Sequence, residues 1–203
     1  MNDPTAITTM AMHEQAAQKR AKLEQLVQRI HAQRPGVVVE IGTMKGGTLR
    51  AWCECAADDA LIVSIDLPHG EWGGGYNDDD ASRFRGFRRA DQRLELIQGN
   101  SHDFMVQDRL ERVLDGREID LLFIDGDHTY PGVKQDFEDY SPYVRSGGLI
   151  AFHDVIDHPN VENCDVNLLW DEIKDRYETE EFVVPGDERS YGPWGGIGLL
   201  RWP

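Results

Sequence analysis

The stretch VVVEIGTMKGGT, residues 37–48, decides the fold of this chain. Its first five residues are apolar except for Glu40, and such a run is typical of a buried strand. Gly42, Gly46 and Gly47 follow, and glycines allow the backbone to turn tightly against a ligand before a helix begins. The spacing matches neither the dinucleotide fingerprint G-x-G-x-x-G nor a P-loop. Glu40 suits a positively charged ligand, although a plain strand–helix turn with an incidental acid also fits this motif.

The same alternation of a short apolar run and an amphipathic stretch extends outward from this motif. Runs rich in Val, Ile and Leu predict strands at residues 37–41, 61–65, 94–97, 119–124 and 149–152. Amphipathic stretches predict helices between them, at residues 48–57, 81–92, 104–114 and 133–144. Such alternation is typical of a parallel sheet covered by helices on both faces. A further helix and two strand-like runs, at 181–184 and 196–201, predict a C-terminal antiparallel hairpin.

The first 34 residues are predicted to be an arm and a helix that precede a single domain over residues 35–203. Residues 1–12 show no apolar period and predict a loose arm. A helix is expected over 13–34, with an apolar stripe formed by Leu23, Leu26, Val27 and Ile30. This stripe either covers the sheet or pairs with a second copy of the chain, so a homo-oligomer is one of the expected assemblies.

The composition excludes several classes of partner. The chain has 203 residues with 21 Lys and Arg against 37 Asp and Glu, which gives a net charge of −16. This negative field repels nucleic-acid phosphates and anionic lipids, so neither nucleic acid nor a membrane surface is an expected partner. The three cysteines lack a C-x-x-C pair, and no signal-peptide pattern or membrane-length apolar run occurs. A cytoplasmic protein with a small-molecule substrate is expected.

Ligands of open parallel sheets bind beyond the carboxyl ends of the strands, so the residues that follow each strand are candidate site residues. Asp66 follows the second predicted strand, and a carboxylate there can accept hydrogen bonds from both hydroxyls of a ribose. A helix cap is the alternative role for Asp66. Asn100 and Ser101 follow the third strand, where they can face an adenine edge, or where Ser101 can cap the next helix.

The densest group of ionisable side chains follows the fourth and fifth predicted strands. Asp125 and His128 follow one strand, and His153 and Asp154 follow the other. Adjacent strands lie about 4.8 Å apart, so Asp125 and Asp154 are near enough to share one cation. Two like charges at that separation need a cation or a proton between them. The alternative gives each side chain a separate structural role, such as a helix cap or a turn.

Four motifs together resemble the class I S-adenosylmethionine-dependent methyltransferases. They are VVEIGTMKGGT, SID ending at Asp66, FIDGDHTY at 123–130 and GGLIAFHD ending at Asp154. The chain is most similar to small-molecule O-methyltransferases related to macrolide-sugar methyltransferases and cephalosporin hydroxylase-like proteins, over residues 37 to 155. The resemblance implies an α/β, Rossmann-like fold. This fold has a mostly parallel seven-stranded sheet, helices on both faces and a C-terminal antiparallel hairpin.

The resemblance also implies a site for S-adenosylmethionine and a divalent metal. The residues expected to bind this cofactor are Glu40, Gly42, Thr43, Gly46, Asp66, Asn100, Ser101 and Asp125. The expected ligands of Mg²⁺ or Mn²⁺ are Asp125, His153 and Asp154. An acid is commoner in the family at the position of His153, and an imidazole there favours Mn²⁺ or Zn²⁺ over Mg²⁺. The expected catalytic residues are His128, as the base, together with Asp125 and His153.

We therefore expect an O-methyltransferase that acts on a hydroxyl of a small metabolite, such as a sugar or a natural-product scaffold. The sulfonium methyl is already electrophilic, so the protein has to align the acceptor oxygen and remove its proton. A metal lowers the pKa of the hydroxyl, and His128 takes the proton. Two other functions share such a sheet. One is a non-catalytic cofactor-binding partner of another enzyme, and the other is an NAD-dependent oxidoreductase, which Glu40 and the missing third glycine disfavour.

The segment 69–80 follows the second strand on the ligand side of the sheet. It contains several glycines together with Trp72 and Tyr76. Mobility and apolar contacts predict a lid over the site, with a flexible acidic surface loop as the alternative.

Overall fold

The computed structural model describes residues 2–68, 74–89, 91–157, 161–183 and 195–203. The strands are β1 (Val37–Ile41), β2 (Leu61–Asp66), β3 (Arg93–Gln98), β4 (Ile119–Ile124), β5 (Val144–Ile156), β6 (Glu178–Phe182) and β7 (Gly195–Arg201). The α-helices are α1 (Pro4–His13), α2 (Arg20–His31), α3 (Gly47–Cys55), α4 (Asp78–Phe84), α5 (Phe104–Leu114), α6 (Tyr130–Tyr140) and α7 (Val166–Ile173). Short 3₁₀ turns follow α6 and α7.

The strands form one seven-stranded sheet in the order β3-β2-β1-β4-β5-β7-β6. The first five strands in this order are parallel, and β7 runs antiparallel to both β5 and β6. The predicted fold class and C-terminal hairpin are therefore confirmed. The strand order reverses between β1 and β4, and a reversal of this kind opens a crevice above the carboxyl ends of the strands.

Apolar residues cover both faces of the sheet because side chains alternate along each strand. Val38 and Leu121 pack with α1, α2 and α3 on one face. Val39 and Leu122 pack with α5, α6 and α7 on the other. Burial on both faces explains why the parallel strands read as continuous runs of Val, Ile and Leu.

The N-terminal segment differs from the prediction. Residues 4–13 form the helix α1 rather than a loose arm, because Asp3 caps the amide of Ala6 at 2.8 Å and Pro4 occupies the first turn. Ile7 of this helix is fully buried in the core. The helix expected over 13–34 is shorter, since α2 begins at Arg20 after a turn in which Gln15 has φ 62°.

Two other elements have different lengths from those predicted. The strand β5 runs from Val144 to Ile156, so His153 and Asp154 lie inside it rather than after it. Its pairing with β7 changes register after His153, and Asp154 has φ 59°. The helix α4 ends at Phe84 instead of continuing to residue 92, and it begins after Asn77, whose side chain caps the amide of Asp80.

Part of the predicted lid segment, residues 69–73 with Trp72, lies outside the described residues. Tyr76 is buried in the core, where its ring meets that of Phe84 at 5.1 Å, so it is not available to contact a ligand as a lid residue would. None of the helices in the described ranges is long and apolar enough to cross a membrane.

Candidate active site

A cavity of about 640 Å³ opens above the carboxyl ends of the central strands. One part of its wall consists of residues 42–45 of the glycine loop, which joins β1 to α3, together with Gly47 and Thr48 at the start of α3. Other parts come from the ends of β2 and β4 and from the loops that follow β3 and β4, with the end of β5 beside them. The cavity therefore lies at the reversal of strand order, where the sequence places the candidate residues.

Asp66 holds the glycine loop in place. Its Oδ2 accepts hydrogen bonds from the backbone amides of Thr43 at 2.8 Å and Met44 at 2.7 Å, and its Oδ1 accepts one from Leu67 at 2.8 Å. Burial raises the pKa of Asp66, and these amide donors offset part of that rise. The carboxylate at the end of β2 thus fixes the loop that follows β1.

Gly42 lies where no other residue fits. Its φ is 84°, and a Cβ at this position would lie 1.9 Å from the carbonyl oxygen of Asp125. The first turn of the glycine loop therefore packs directly on the backbone of Asp125. Asn100, Ser101 and Thr43, which are three of the residues expected to bind the cofactor, also line the cavity.

Glu40 and Gly46 lie behind the glycine loop, and neither borders the cavity in the described part of the chain. Glu40 is fully buried and accepts hydrogen bonds from the Trp52 indole and the Thr43 hydroxyl, both at 2.8 Å. Burial raises the pKa of Glu40 to about 8. Gly46 has φ 83° and packs on the ring of Phe84. Both residues support the wall of the site from within.

Asp125, His128, His153 and Asp154 form one cluster at the ends of β4 and β5. Nδ1 of His153 lies 3.1 Å from Oδ1 of Asp125 and 3.3 Å from Oδ2 of Asp154. The imidazole of His128 lies between the same two carboxylates, with Nε2 at 3.3 Å from Asp125 and Nδ1 at 3.1 Å from Asp154. The predicted ionisable group is therefore assembled on one side of the cavity.

The charges of this cluster balance each other. Burial alone raises the pKa of a carboxyl group, but the two imidazoles outweigh it and lower the pKa of Asp125 and of Asp154. Burial alone lowers the pKa of a histidine, but the carboxylates outweigh it, so the pKa of His153 rises to about 10 and that of His128 rises as well. A cation that enters the cluster replaces these protons.

The cluster fits a divalent metal on the evidence of its own atoms. Ligand atoms of Asp125, His153 and Asp154 lie within 4.8 Å of one another. Oδ1 of Asp154 is buried without a hydrogen-bond partner among the described residues, and Nδ1 of His153 approaches two carboxylate oxygens without a well-directed hydrogen bond to either. Buried polar atoms are rarely left unpaired, so the unpaired Oδ1 of Asp154 in a group of convergent ligand atoms fits a bound cation.

A sequence model for a family described as a methyltransferase domain matches residues 39–155, which is more than half of the chain. The chain belongs to this methyltransferase family. The match confirms the resemblance to class I S-adenosylmethionine-dependent methyltransferases. The matched range contains the glycine loop, Asp66 and the cluster of Asp125, His128, His153 and Asp154.

Two curated relatives are similar to this methyltransferase, and both are uncharacterized proteins. The first, R132 of Acanthamoeba polyphaga mimivirus, is 31% identical over 151 residues, which cover 73% of this chain and 66% of the relative. The second, y4gI of Sinorhizobium fredii, is 28% identical over 129 residues, which cover 62% of this chain and 14% of the relative. The methyltransferase thus spans less than two thirds of the length of either relative.

Two solved structures share the fold of the methyltransferase along nearly its full length. The O-methyltransferase TomG of Streptomyces achromogenes, which is involved in tomaymycin synthesis and was solved in complex with SAM, gives a TM-score of 0.66 at 17% identity, covering 100% of this chain and 91% of TomG. An O-methyltransferase of Bacillus cereus in complex with SAH gives 0.64 at 17% identity, covering 99% of this chain and 92% of that chain.

Gln18 is a residue of the site that the sequence did not reveal. It lies between α1 and α2, is 3% exposed, and its Nε2 donates to Oδ2 of Asp125 at 2.5 Å. Gly47 allows this approach, because a Cβ there would lie 2.3 Å from the backbone of Ala16. A contact across 107 residues of sequence leaves no local pattern, so no signal in this single sequence could have identified Gln18.

Asp136 of α6 is a second residue missed from the sequence. It is fully buried, its Oδ1 accepts a hydrogen bond from the Ser101 hydroxyl at 2.6 Å, and Nε2 of His102 lies 3.2 Å from the same oxygen. Ser101 is therefore held by α6 and does not cap α5, whose N-cap residue is Asp103. An acid inside an amphipathic helix resembles a solvated surface residue in sequence, which is why this one was not recognised.

Proposed function

We propose that this methyltransferase transfers the methyl group of S-adenosylmethionine to a hydroxyl of a small molecule, assisted by a divalent metal. The observation that carries the proposal is a single cavity bordered both by the glycine loop that Asp66 holds and by the cluster of Asp125, His128, His153 and Asp154. The likeness to O-methyltransferases in complex with SAM and SAH supports this choice of cofactor and of oxygen as the acceptor atom.

The wall formed by β1, β2 and β3 is the proposed cofactor side. Gly42 and Thr43 bring backbone atoms to the cavity, and Asp66 is the acidic residue at the end of β2 expected to meet a ribose. Asn100 and Ser101 lie beside it and suit the polar edge of an adenine. Glu40 and Gly46 take a supporting part, since Glu40 orients Thr43 from behind the loop.

The proposed metal ligands are Asp125, His153 and Asp154, with Mg²⁺ or Mn²⁺ as the expected ion. When bound, such an ion lowers the pKa of an acceptor hydroxyl and orients it. Gln18 holds Oδ2 of Asp125 through its amide at 2.5 Å, so Oδ1 is the oxygen that faces the two imidazoles. Residues that orient a ligand in this way tune a metal site although they do not touch the ion.

His128 is the proposed base. Its imidazole lies between Asp125 and Asp154 and is 38% exposed, so it can meet a substrate from the cavity. In the proposed step the acceptor oxygen forms a bond to the methyl carbon, the carbon–sulfur bond breaks and the sulfonium becomes a neutral thioether. A cation bound in the cluster would displace the proton that His128 holds in its absence. The neutral imidazole would then accept the hydroxyl proton, and the two carboxylates would stabilise the imidazolium that results.

The test compares two cofactors and then follows the methyl group. Titration of the full chain with S-adenosylhomocysteine or NAD in a calorimeter should give heat with the first only. Radiolabelled S-adenosylmethionine should then label an acceptor from a panel of hydroxylated sugars and natural-product scaffolds. Binding of NAD without S-adenosylhomocysteine would contradict the proposal. Cofactor binding with no labelled acceptor in the panel would favour the alternative function, a non-catalytic cofactor-binding partner of another enzyme.

The class of acceptor, the cellular location of the protein and its oligomeric state are further parts of the proposal. A cavity of about 640 Å³ suits a small-molecule acceptor beside the cofactor, and the charge of −16 disfavours nucleic acid. We expect the protein to act in natural-product biosynthesis. We also expect it to be cytoplasmic and to form a homo-oligomer. We also expect the loop over residues 185–196 to shape the acceptor pocket, and most of this loop lies outside the described residues.

A further inference from the structure

Cys164 lies on the wall of the same cavity, beside His128. The thiol is buried, with 6% of the residue exposed. Its position is fixed by the backbone, because the amide of the next residue, Asp165, donates to the carbonyl oxygen of His128 at 2.8 Å. The segment before α7 is thereby tied to the loop between β4 and α6, and the sulfur faces the imidazole.

Three different donor atoms converge at this point. A nitrogen of His128, a carboxylate oxygen of Asp154 and the sulfur of Cys164 lie within 4.8 Å of one another. A second observation concerns Asp154, which is only 5% exposed: its Oδ2 lies 3.1 Å from Nδ1 of His128, and its Oδ1 has no hydrogen-bond partner among the described residues. Such a carboxylate oxygen requires a cation or a donor to offset its desolvation.

We propose that His128, Asp154 and Cys164 form a nitrogen–oxygen–sulfur metal site that takes Zn²⁺ or Co²⁺ in preference to Mg²⁺. Thiolate and imidazole are ligands of borderline and soft ions, whereas Mg²⁺ takes oxygen ligands and keeps several waters. Zinc sites have bonds of about 2.0–2.3 Å, so their ligand atoms lie roughly 3.5 Å apart.

This inference rests on the metal part of the proposed function and concerns which ion the site selects. Asp154 belongs both to this site and to the set with Asp125 and His153. An ion held by Cys164 therefore competes with an ion at His153 for one carboxylate. It also takes a nitrogen of His128, so His128 serves as the base only when the ion is bound by Asp125, His153 and Asp154. Cys164 is the residue that distinguishes the two arrangements, because it alone supplies sulfur.

Cobalt provides a direct readout, since a cobalt–thiolate bond gives a near-ultraviolet charge-transfer band that oxygen and nitrogen ligands do not give. The full chain, stripped of metal by a chelator, is titrated with Co²⁺. We expect the band to saturate at one cobalt per chain and to persist in excess Mg²⁺. It should be absent from Cys164→Ala and from Cys164→Ser, which keeps the size of the side chain. It should be retained in Cys55→Ala, which removes another buried thiol, from α3.

A wild-type chain without the band, a band of equal intensity in Cys164→Ala, or loss of the band on addition of Mg²⁺ would overturn the inference. Thermal shifts with S-adenosylhomocysteine on the same samples separate this result from the proposed function. A rise in melting temperature with S-adenosylhomocysteine, but no cobalt band, refutes the sulfur site alone. A cobalt band with no rise in melting temperature refutes the cofactor proposal alone. A shift in Cys164→Ala also shows that the variant is folded.

Discussion

The amide nitrogen of Gln18 lies 2.5 Å from Oδ2 of Asp125, which joins the segment between α1 and α2 to the end of β4. Asp125 is the residue where the proposed cofactor side of the cavity meets the cluster of His128, His153 and Asp154. Its carbonyl oxygen packs on Gly42, and its other carboxylate oxygen faces His153. The N-terminal helices thus take part in the site and do more than cover the sheet.

Replacement of Gln18 by Met should weaken metal binding while leaving the fold intact. The substitution keeps the length of the side chain but removes the donor that orients Asp125. Loss of such an orienting group costs about 10- to 100-fold in metal affinity. Calorimetric titration with Mn²⁺ measures the change, and Gln28→Met on the exposed side of α2 is the matched control. Equal affinities in the two variants would show that Gln18 does not support the metal site.

Replacement of Gly42 by Ala should destabilise the protein far more than replacement of Gly116 by Ala. Both residues have positive φ, at 84° and 77°, so both variants carry the backbone strain of about 1–2 kcal/mol. A Cβ at position 42 would also lie 1.9 Å from the carbonyl oxygen of Asp125, whereas a Cβ at 116 would meet nothing within 4 Å. Urea unfolding measures both, and similar midpoints would contradict the close approach.

Glu40 should make the protein less stable as the pH rises. Its pKa is about 8 in the folded protein against 4.5 for the ordinary group, because burial disfavours the carboxylate. A raised folded-state pKa gives full stability below the unfolded value, with a progressive loss between pH 4.5 and 8. The loss is at most about 1.4 kcal/mol per pH unit.

The variant Glu40→Gln removes this titration and should gain stability relative to the wild type on going from pH 5 to pH 8. Urea unfolding of the two proteins at both pH values, without cofactor, gives the comparison. A stability difference that does not change with pH would mean that Glu40 keeps an ordinary pKa.

Chelation or Asp154→Ala should abolish methyl transfer while cofactor binding remains nearly intact. Asp154 lies in the ionisable cluster, away from Asp66 and the glycine loop that the cofactor is expected to meet. Turnover in excess EDTA and the heat of S-adenosylhomocysteine binding are the two measurements. The control variant is Asp59→Asn, which removes a carboxylate from an exposed turn outside the cluster and should keep both activity and cofactor binding. Full activity in EDTA, with no metal found by elemental analysis, would remove the metal from the mechanism.

The strands and the residues at their carboxyl ends were predictable, because burial on both faces gives runs of Val, Ile and Leu whose ends locate the site. Helix α1 was missed because apolar spacing alone does not show it, although Asp3 and Pro4 are a start signal. The extension of β5 to Ile156 depends on pairing with β7, which is a tertiary effect. Gln18 was missed for the same reason, since its place in the site depends on how two helices pack over a distant loop.

The antiparallel strand β7 lies between β5 and β6, and its Ile197 pairs with His153. The six other strands of the described sheet precede it in the sequence, so during translation the edge of β5 stays open until residues 195–201 leave the ribosome. A nascent chain that stops short of this point presents an unpaired edge of the kind that recruits chaperones or aggregates. The strand that carries His153 and Asp154 therefore gains its second neighbour only once β7 is available to pair with it.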